Sequence, residues 1–102
     1  MYIGFRTKKL ERCYLEQRDR EKVWGRAVAR KYVQAIGALK AVDHPSDLGT
    51  FPQFDYEPLR QDRKGQHSLE LSRRAHLIFT VHECRDALTA RVEEVNTTHY
   101  GH

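Results

Sequence analysis

The 102-residue sequence predicts an α+β fold, with an N-terminal strand and a two-helix hairpin packed on one face of an antiparallel β-meander. Two observations carry that expectation. Between about Arg20 and Val42 the apolar positions Trp24, Val28, Tyr32, Ala35, Leu39 and Val42 recur at steps of three and four, the period of an amphipathic helix. Beyond Pro52 the pattern changes to alternation in β-rich runs and keeps that character as far as Val95.

Tyr2 to Arg6 is a short apolar-leaning run and reads as the first strand. Thr7 can cap a helix through its hydroxyl, with Leu10, Cys13 and Tyr14 on one face. In the long second helix Trp24 reads as a core anchor, while Gly25 and Gly37 each weaken the helix by up to about 1 kcal/mol relative to Ala. His44 to Pro52 is a turn region, with two prolines, Gly49 and Ser46 as a candidate cap. Phe54, Tyr56 and Leu59 then alternate, as do Leu69 and Leu71 around Glu70. His76 to His82 and Leu88 to Val95 supply the last two strands, and the turns fall at Arg63-Lys64-Gly65, Ser72-Arg73-Arg74 and Cys84-Arg85-Asp86. The order is β-α-α-β-β-β-β, read as a single domain over residues 1–102.

Hydrophobic residues make up 39% of the chain and charged residues 31%, a globular rather than a disordered balance. No apolar run approaches the roughly 20 residues that span a bilayer, and the charged N-terminal stretch lacks the apolar centre of a signal peptide. Cys13 and Cys84 have neither CxxC spacing nor a Cys/His cluster, so they read as thiols of a cytoplasmic protein. His82-Glu83-Cys84 lacks the spacing of a zinc site, and no metal is expected.

The formal charge of +4 permits a polyanionic partner. Residues 1–31 hold ten Lys/Arg against four Asp/Glu, a net of +6, which leaves −2 for the remainder. Within that remainder Arg60, Arg63, Lys64, Arg73 and Arg74 crowd together with only Asp62 and Glu70 against them. Strand-borne arginines can grip phosphate oxygens two at a time, and the interleaved Tyr56, His67, His76 and Phe79 are rings able to stack on unpaired bases. The plainer reading is a solvated charged surface over a core of Leu, Ile and Phe.

The stretch Glu57 to Gln66, EPLRQDRKGQ, followed by His76-Leu77-Ile78-Phe79, resembles the HigB-type toxins of bacterial toxin–antitoxin pairs, members of the RelE/ParE superfamily. Their pattern is approximately His/Glu-Pro-Leu-Lys-Gly-Asp-Arg-Lys-Gly-Gln, a strand, Arg-Leu-Ile-Phe, and a histidine near the C-terminus. The resemblance implies a RelE-like fold and a ribosome-dependent mRNA endonuclease that inhibits translation. It also implies a cognate helix-turn-helix antitoxin, with the ribosome and mRNA as further partners. The implied reaction needs no cofactor: a 2′-hydroxyl attacks the adjacent phosphate, leaving a 2′,3′-cyclic phosphate and a 5′-hydroxyl.

Carried over position by position, Arg60 takes the family's active-site lysine slot, and Glu57 stands where many members have a histidine. His76 takes the slot of the arginine of Arg-Leu-Ile-Phe, a departure that weakens charge stabilisation unless Arg73 or Arg74 substitutes. Near the C-terminus His99 or Tyr100 answers to the family's Asp-Tyr-His ending. The resemblance therefore implies Glu57, Arg60, His76 and His99 as catalytic candidates, and Arg63, Lys64, Arg73, Arg74 and Tyr100 as RNA contacts. Two other readings stay open: an inactive relative that binds antitoxin or ribosome, and a ParE-like inhibitor of DNA gyrase.

Overall fold

The computed structural model describes residues 1–97. β1 (Tyr2–Phe5) leads through Thr7 into α1 (Lys8–Leu15). Thr7 starts the helix because its backbone is extended and its Oγ1 accepts the Leu10 amide at 3.1 Å, satisfying a donor that has no partner within the helix. At Glu16 the backbone turns extended and α1 stops, yet α2 (Gln17–Ala41) begins at the next residue. Arg20 stabilises this tight joint: its Nη1 donates to Cys13 O at 3.2 Å and Tyr14 O at 3.1 Å, carbonyls at the end of α1. The long helix thus starts three residues before the expected Arg20, and it is broken within. Gly25 sits at φ 82°, ψ 167°, a conformation that the absence of a Cβ permits, so the glycine redirects α2 rather than merely weakening it.

The segment after α2 holds two 3₁₀ turns, Pro45–Thr50 and Pro52–Phe54, each opened by a proline where no amide donor is needed. Ser46 does not cap the first; His44 occupies that position without a side-chain bond. Phe54, expected in a strand, ends the second turn with its ring buried in the core. The strand predicted around it shrinks to β2 (Glu57–Pro58). Pro58 has no amide to donate, which suits a strand at the sheet edge.

β3 (Gln66–Glu70), β4 (His76–Cys84) and β5 (Ala87–Asn96) complete a five-stranded sheet of order β1-β5-β4-β3-β2. β2 to β5 form the expected antiparallel meander. β1 pairs parallel to β5, from Tyr2 opposite Thr89 to Phe5 opposite Val92, so the whole sheet is mixed. Between the paired Cys84 and Ala87, Arg85 and Asp86 take φ 50° and 67°, the two positive angles that a two-residue hairpin turn of type I′ requires.

Both helices cover one face of the sheet. Leu10 and Cys13 of α1 and Tyr32, Ala35, Ile36 and Leu39 of α2 join Leu69, Leu77, Phe79, Ala90 and Val92 in the core. The buried Tyr32 hydroxyl donates to Leu10 O at 2.8 Å, so the polar tip of this core ring is satisfied. Trp24 is only partly buried and leans on Tyr32, with 4.6 Å between ring centres. No described helix is long and apolar enough to cross a membrane.

Candidate functional site

Side chains alternate along a strand, so the sheet has a face away from the helices, and pairing sets that face out in rows. One row runs Gln66, Thr80, Arg91, with Gly4 of β1 beyond. The next runs Glu57, Ser68, Ile78, Glu94, and the third Glu70, His76, Asn96. Ser68 and Ile78 are buried at the floor of this outer face. Glu57 is exposed on the edge strand, and His76 opens β4 opposite Glu70, with Nε2 3.8 Å from Glu70 Oε1.

β5 departs from strict alternation. Its register with β4 slips between Ile78 and Phe79, leaving Glu93 as the extra residue. Such a bulge re-aims side chains, and here the consecutive Glu93 and Glu94 both reach the outer face. Glu93 Oε2 accepts from Thr80 Oγ1 at 2.7 Å and from Arg91 Nε at 2.8 Å, while Oε1 accepts from Arg91 Nη2 at 3.3 Å. Glu94 Oε2 lies 3.6 Å from Arg63 Nη1, which also donates to Gln66 Oε1 at 2.9 Å. Burial pushes the Glu93 carboxyl up, but the bonds from Arg91 and Thr80 and the charges of Arg91 and Arg6 outweigh it and hold the group below its ordinary value. His82 Nε2 shares a 2.8 Å bond with the Thr80 hydroxyl.

The predicted residues thus separate into three places. Glu57, Arg63 and His76 share the outer face. Arg60 and Lys64 are exposed around the 3₁₀ turn Gln61–Arg63, at the Gln66 end of β3. Arg73 and Arg74 are exposed in the turn at the Glu70 end, a turn closed by the Leu71 amide on Ala75 O at 2.8 Å. Four residue steps of strand, about 13 Å, separate these two basic rims. His99 and Tyr100 lie outside the described residues.

The expected base-stacking rings are distributed differently. His67 is on the helix side, as alternation from Leu69 requires, and stacks on Phe79 with 5.0 Å between centres. Tyr56 packs beside both rings, 5.8 Å from His67 and 6.4 Å from Phe79 between centres, its hydroxyl 2.8 Å from His67 Nδ1. Burial lowers the His67 pKa and raises that of Tyr56. These three rings close the core at the β2–β3 edge, and His76 alone of the four expected rings faces outward.

The residue-by-residue expectation missed Glu70, Arg91, Glu93 and Glu94. The net +6 of the first 31 residues also lies elsewhere, mostly on the helices. Arg20, Arg26 and Arg30 line an open depression of about 350 Å³ along α2 beside the break at Gly25.

No family model matches the chain, and no curated protein matches it in sequence. Solved structures do share its architecture. A YoeB/ParE toxin from Agrobacterium tumefaciens superposes with a TM-score of 0.61 at 14% identity, over 97% of this chain and 100% of that one. A mutant of YafQ from E. coli superposes with a TM-score of 0.50 at 17% identity, over 93% and 90% of the two chains. The chain therefore shares the α+β fold of the YoeB/ParE toxin.

Proposed function

We propose that this chain is the toxin of a toxin–antitoxin pair and acts as a ribosome-dependent mRNA endonuclease of the HigB type. The observation that carries the reading is the placement of Glu57, Arg63 and His76 on one open sheet face, flanked by basic rims, in a fold shared with a YoeB/ParE toxin. In the proposed reaction Glu57 takes the proton of a 2′-hydroxyl, the 2′-oxygen bonds to the adjacent phosphorus, and the bond from phosphorus to the 5′-oxygen breaks. His76 or His99 returns one proton to the departing oxygen, so the proton count balances. Arg60 and Arg63 supply positive charge to the phosphorane, as an oxyanion hole does for other reactions. Lys64, Arg73, Arg74 and Tyr100 hold the RNA on either side. The basic helix side suits a second contact with ribosomal polyanion, and a helix-turn-helix antitoxin is the expected inhibitor.

Translating ribosomes carrying mRNA, mixed with the purified protein and read by primer extension, test this directly. Discrete cleavage sites are expected, and a pattern at background with protein in excess sinks the reading. Arg60→Ala should abolish growth inhibition on expression while circular dichroism stays that of the folded protein. His76→Arg, which restores the family's cation, should raise cleavage.

A specific observation favours a second reading. Glu70 faces His76 across the strands and competes with substrate for it, as expected of a weak or inactive toxin relative that binds antitoxin or ribosome without cutting. The same cleavage assay separates the two, and plasmid supercoiling by gyrase tests the ParE-like alternative.

A further inference from the structure

We propose that the β1–β5 half of the outer face is a second nucleotide subsite, in which Arg91 grips a phosphate and Tyr2 stacks on the base beside it. It rests on the reading of single-stranded RNA as substrate, and it lies apart from Glu57 and His76.

The case begins with a carboxylate in an unexpected place. Glu93 is only 8% exposed on a sheet face with no described helix over it, and a buried carboxylate is costly unless paired. Its pairing is side-on to Arg91: Nε and Nη2 are taken by the two carboxylate oxygens, and Thr80 fixes the carboxylate from the neighbouring strand. An arginine presents five N–H donors in a planar fork. With the Nε edge held by Glu93, the Nη1 end points away from the carboxylate, and the side chain stays 46% exposed. A flexible surface cation has become a donor of fixed direction, the form in which guanidinium recognises phosphate oxygens.

Two neighbours complete the subsite. Gly4 stands opposite Arg91 in the parallel pair and puts no side chain beside it. Tyr2, two residues earlier on the same face and opposite Thr89, is 70% exposed, although it is a large ring in a strand. An exposed aromatic beside a fixed cation suits an unpaired nucleotide, since every base has a π-face. Peptide recognition would instead want apolar anchors. Thr80, His82, Thr89 and Gln66 around Arg91 are polar, and the nearby Ile78 is fully buried.

The test uses the full chain and a single-stranded oligoribonucleotide of about eight nucleotides, 2′-O-methylated throughout so that it cannot be cleaved. Affinity is read by fluorescence anisotropy against salt. Arg91→Ala should weaken binding about tenfold and lower the slope of log K against log salt by about 0.7. Tyr2→Ala should weaken it about fivefold, and Tyr2→Phe should keep wild-type affinity. Glu93→Gln is the sharpest variant. It removes a negative charge, so simple charge attraction predicts tighter binding, whereas loss of the anchor predicts weaker binding. Wild-type affinity in both Arg91→Ala and Tyr2→Ala, or tighter binding by Glu93→Gln, overturns the subsite. So does a chain that ignores the oligonucleotide and binds a polyglutamate peptide. Arg91→Lys, which keeps the charge without the fork, should fall between wild type and Arg91→Ala and guards against a misfolded alanine variant. If the oligonucleotide binds as predicted but ribosomal mRNA stays intact, the nuclease reading fails and the subsite stands.

Discussion

On the helix side of the sheet, Leu69, Leu77, Phe79 and Val92 are fully buried in one apolar cluster. On the other side β4 and β5 present His76, Arg91, Glu93 and Glu94, joined by Glu57 of β2 and by Arg63 from the 3₁₀ turn before β3. The first face is specified by volume, because close-packed groups lose contacts whenever a neighbour shrinks. The second is specified by pairing, with each glutamate of the bulge directing one guanidinium. The same β5 backbone serves both faces, and the bulge lets it do so by turning two successive glutamates outward while Val92 and Val95 stay with the core.

Neighbouring residues can break that comparison. Phe79→Ala should cost about 3–5 kcal/mol of stability, since a fully buried ring is removed from a packed site and its His67 stacking is lost. Urea unfolding measures it. Glu57→Gln, on the exposed edge of the other face, should leave stability within about 0.5 kcal/mol. Its cleavage rate on ribosomes should nevertheless fall about 100-fold, the scale of a lost general base. A stability loss at Glu57 as large as that at Phe79 would show that the outer face is also held by packing.

Acid should separate the faces in pH. His67 has a pKa lowered by burial from 6.5, so the unfolded chain binds a proton that the folded chain resists. Its contribution is lost as pH falls below about 6.5. Glu93 has a pKa lowered from 4.5, so its contribution is present above that value and is lost as pH falls through the folded value. Unfolding free energy against pH should therefore decline in two windows. His67→Gln should remove the upper one and Glu93→Gln the lower one. A single decline that neither variant alters would show that these two groups do not set the acid response.

The helix side was the more legible in sequence because burial leaves a period. Steps of three and four marked α2, and alternation marked the meander. The break at Gly25 was visible only as a weak point, since a glycine's identity does not reveal which φ it adopts. The parallel pairing of β1 was not legible, because a four-residue strand carries no mark of its partner. For the outer face, resemblance supplied Glu57, Arg63 and His76, and the two basic turns read at Arg63-Lys64-Gly65 and Ser72-Arg73-Arg74 are the rims that β3 holds apart. Arg91 and Glu93 were missed, although a signal was present. Ala90, Val92 and Val95 break the period of two with a step of three, and the residues in that gap are the two glutamates. A slip of that kind marks a bulge, and bulges gather beside functional sites.

The smallest predicted effect belongs to neither face. Asp86 adopts φ 67° in the two-residue turn from β4 to β5, where an L-residue is mildly strained and glycine is not. Asp86→Gly should stabilise the protein by about 0.5 kcal/mol. The gain is limited because aspartate tolerates the left-handed region better than most residues, and because glycine also loosens the unfolded chain. Asp86 makes none of the contacts that fix the subsite's guanidinium, since Arg91 is held by Glu93 and Glu93 by Thr80. Affinity for the methylated oligonucleotide should therefore stay at wild type while the urea midpoint rises. A change in affinity with that rise would mean that strain in the hairpin reaches the Glu93 bulge, which would make the spacing of β4 against β5 part of how the outer face holds its arginines.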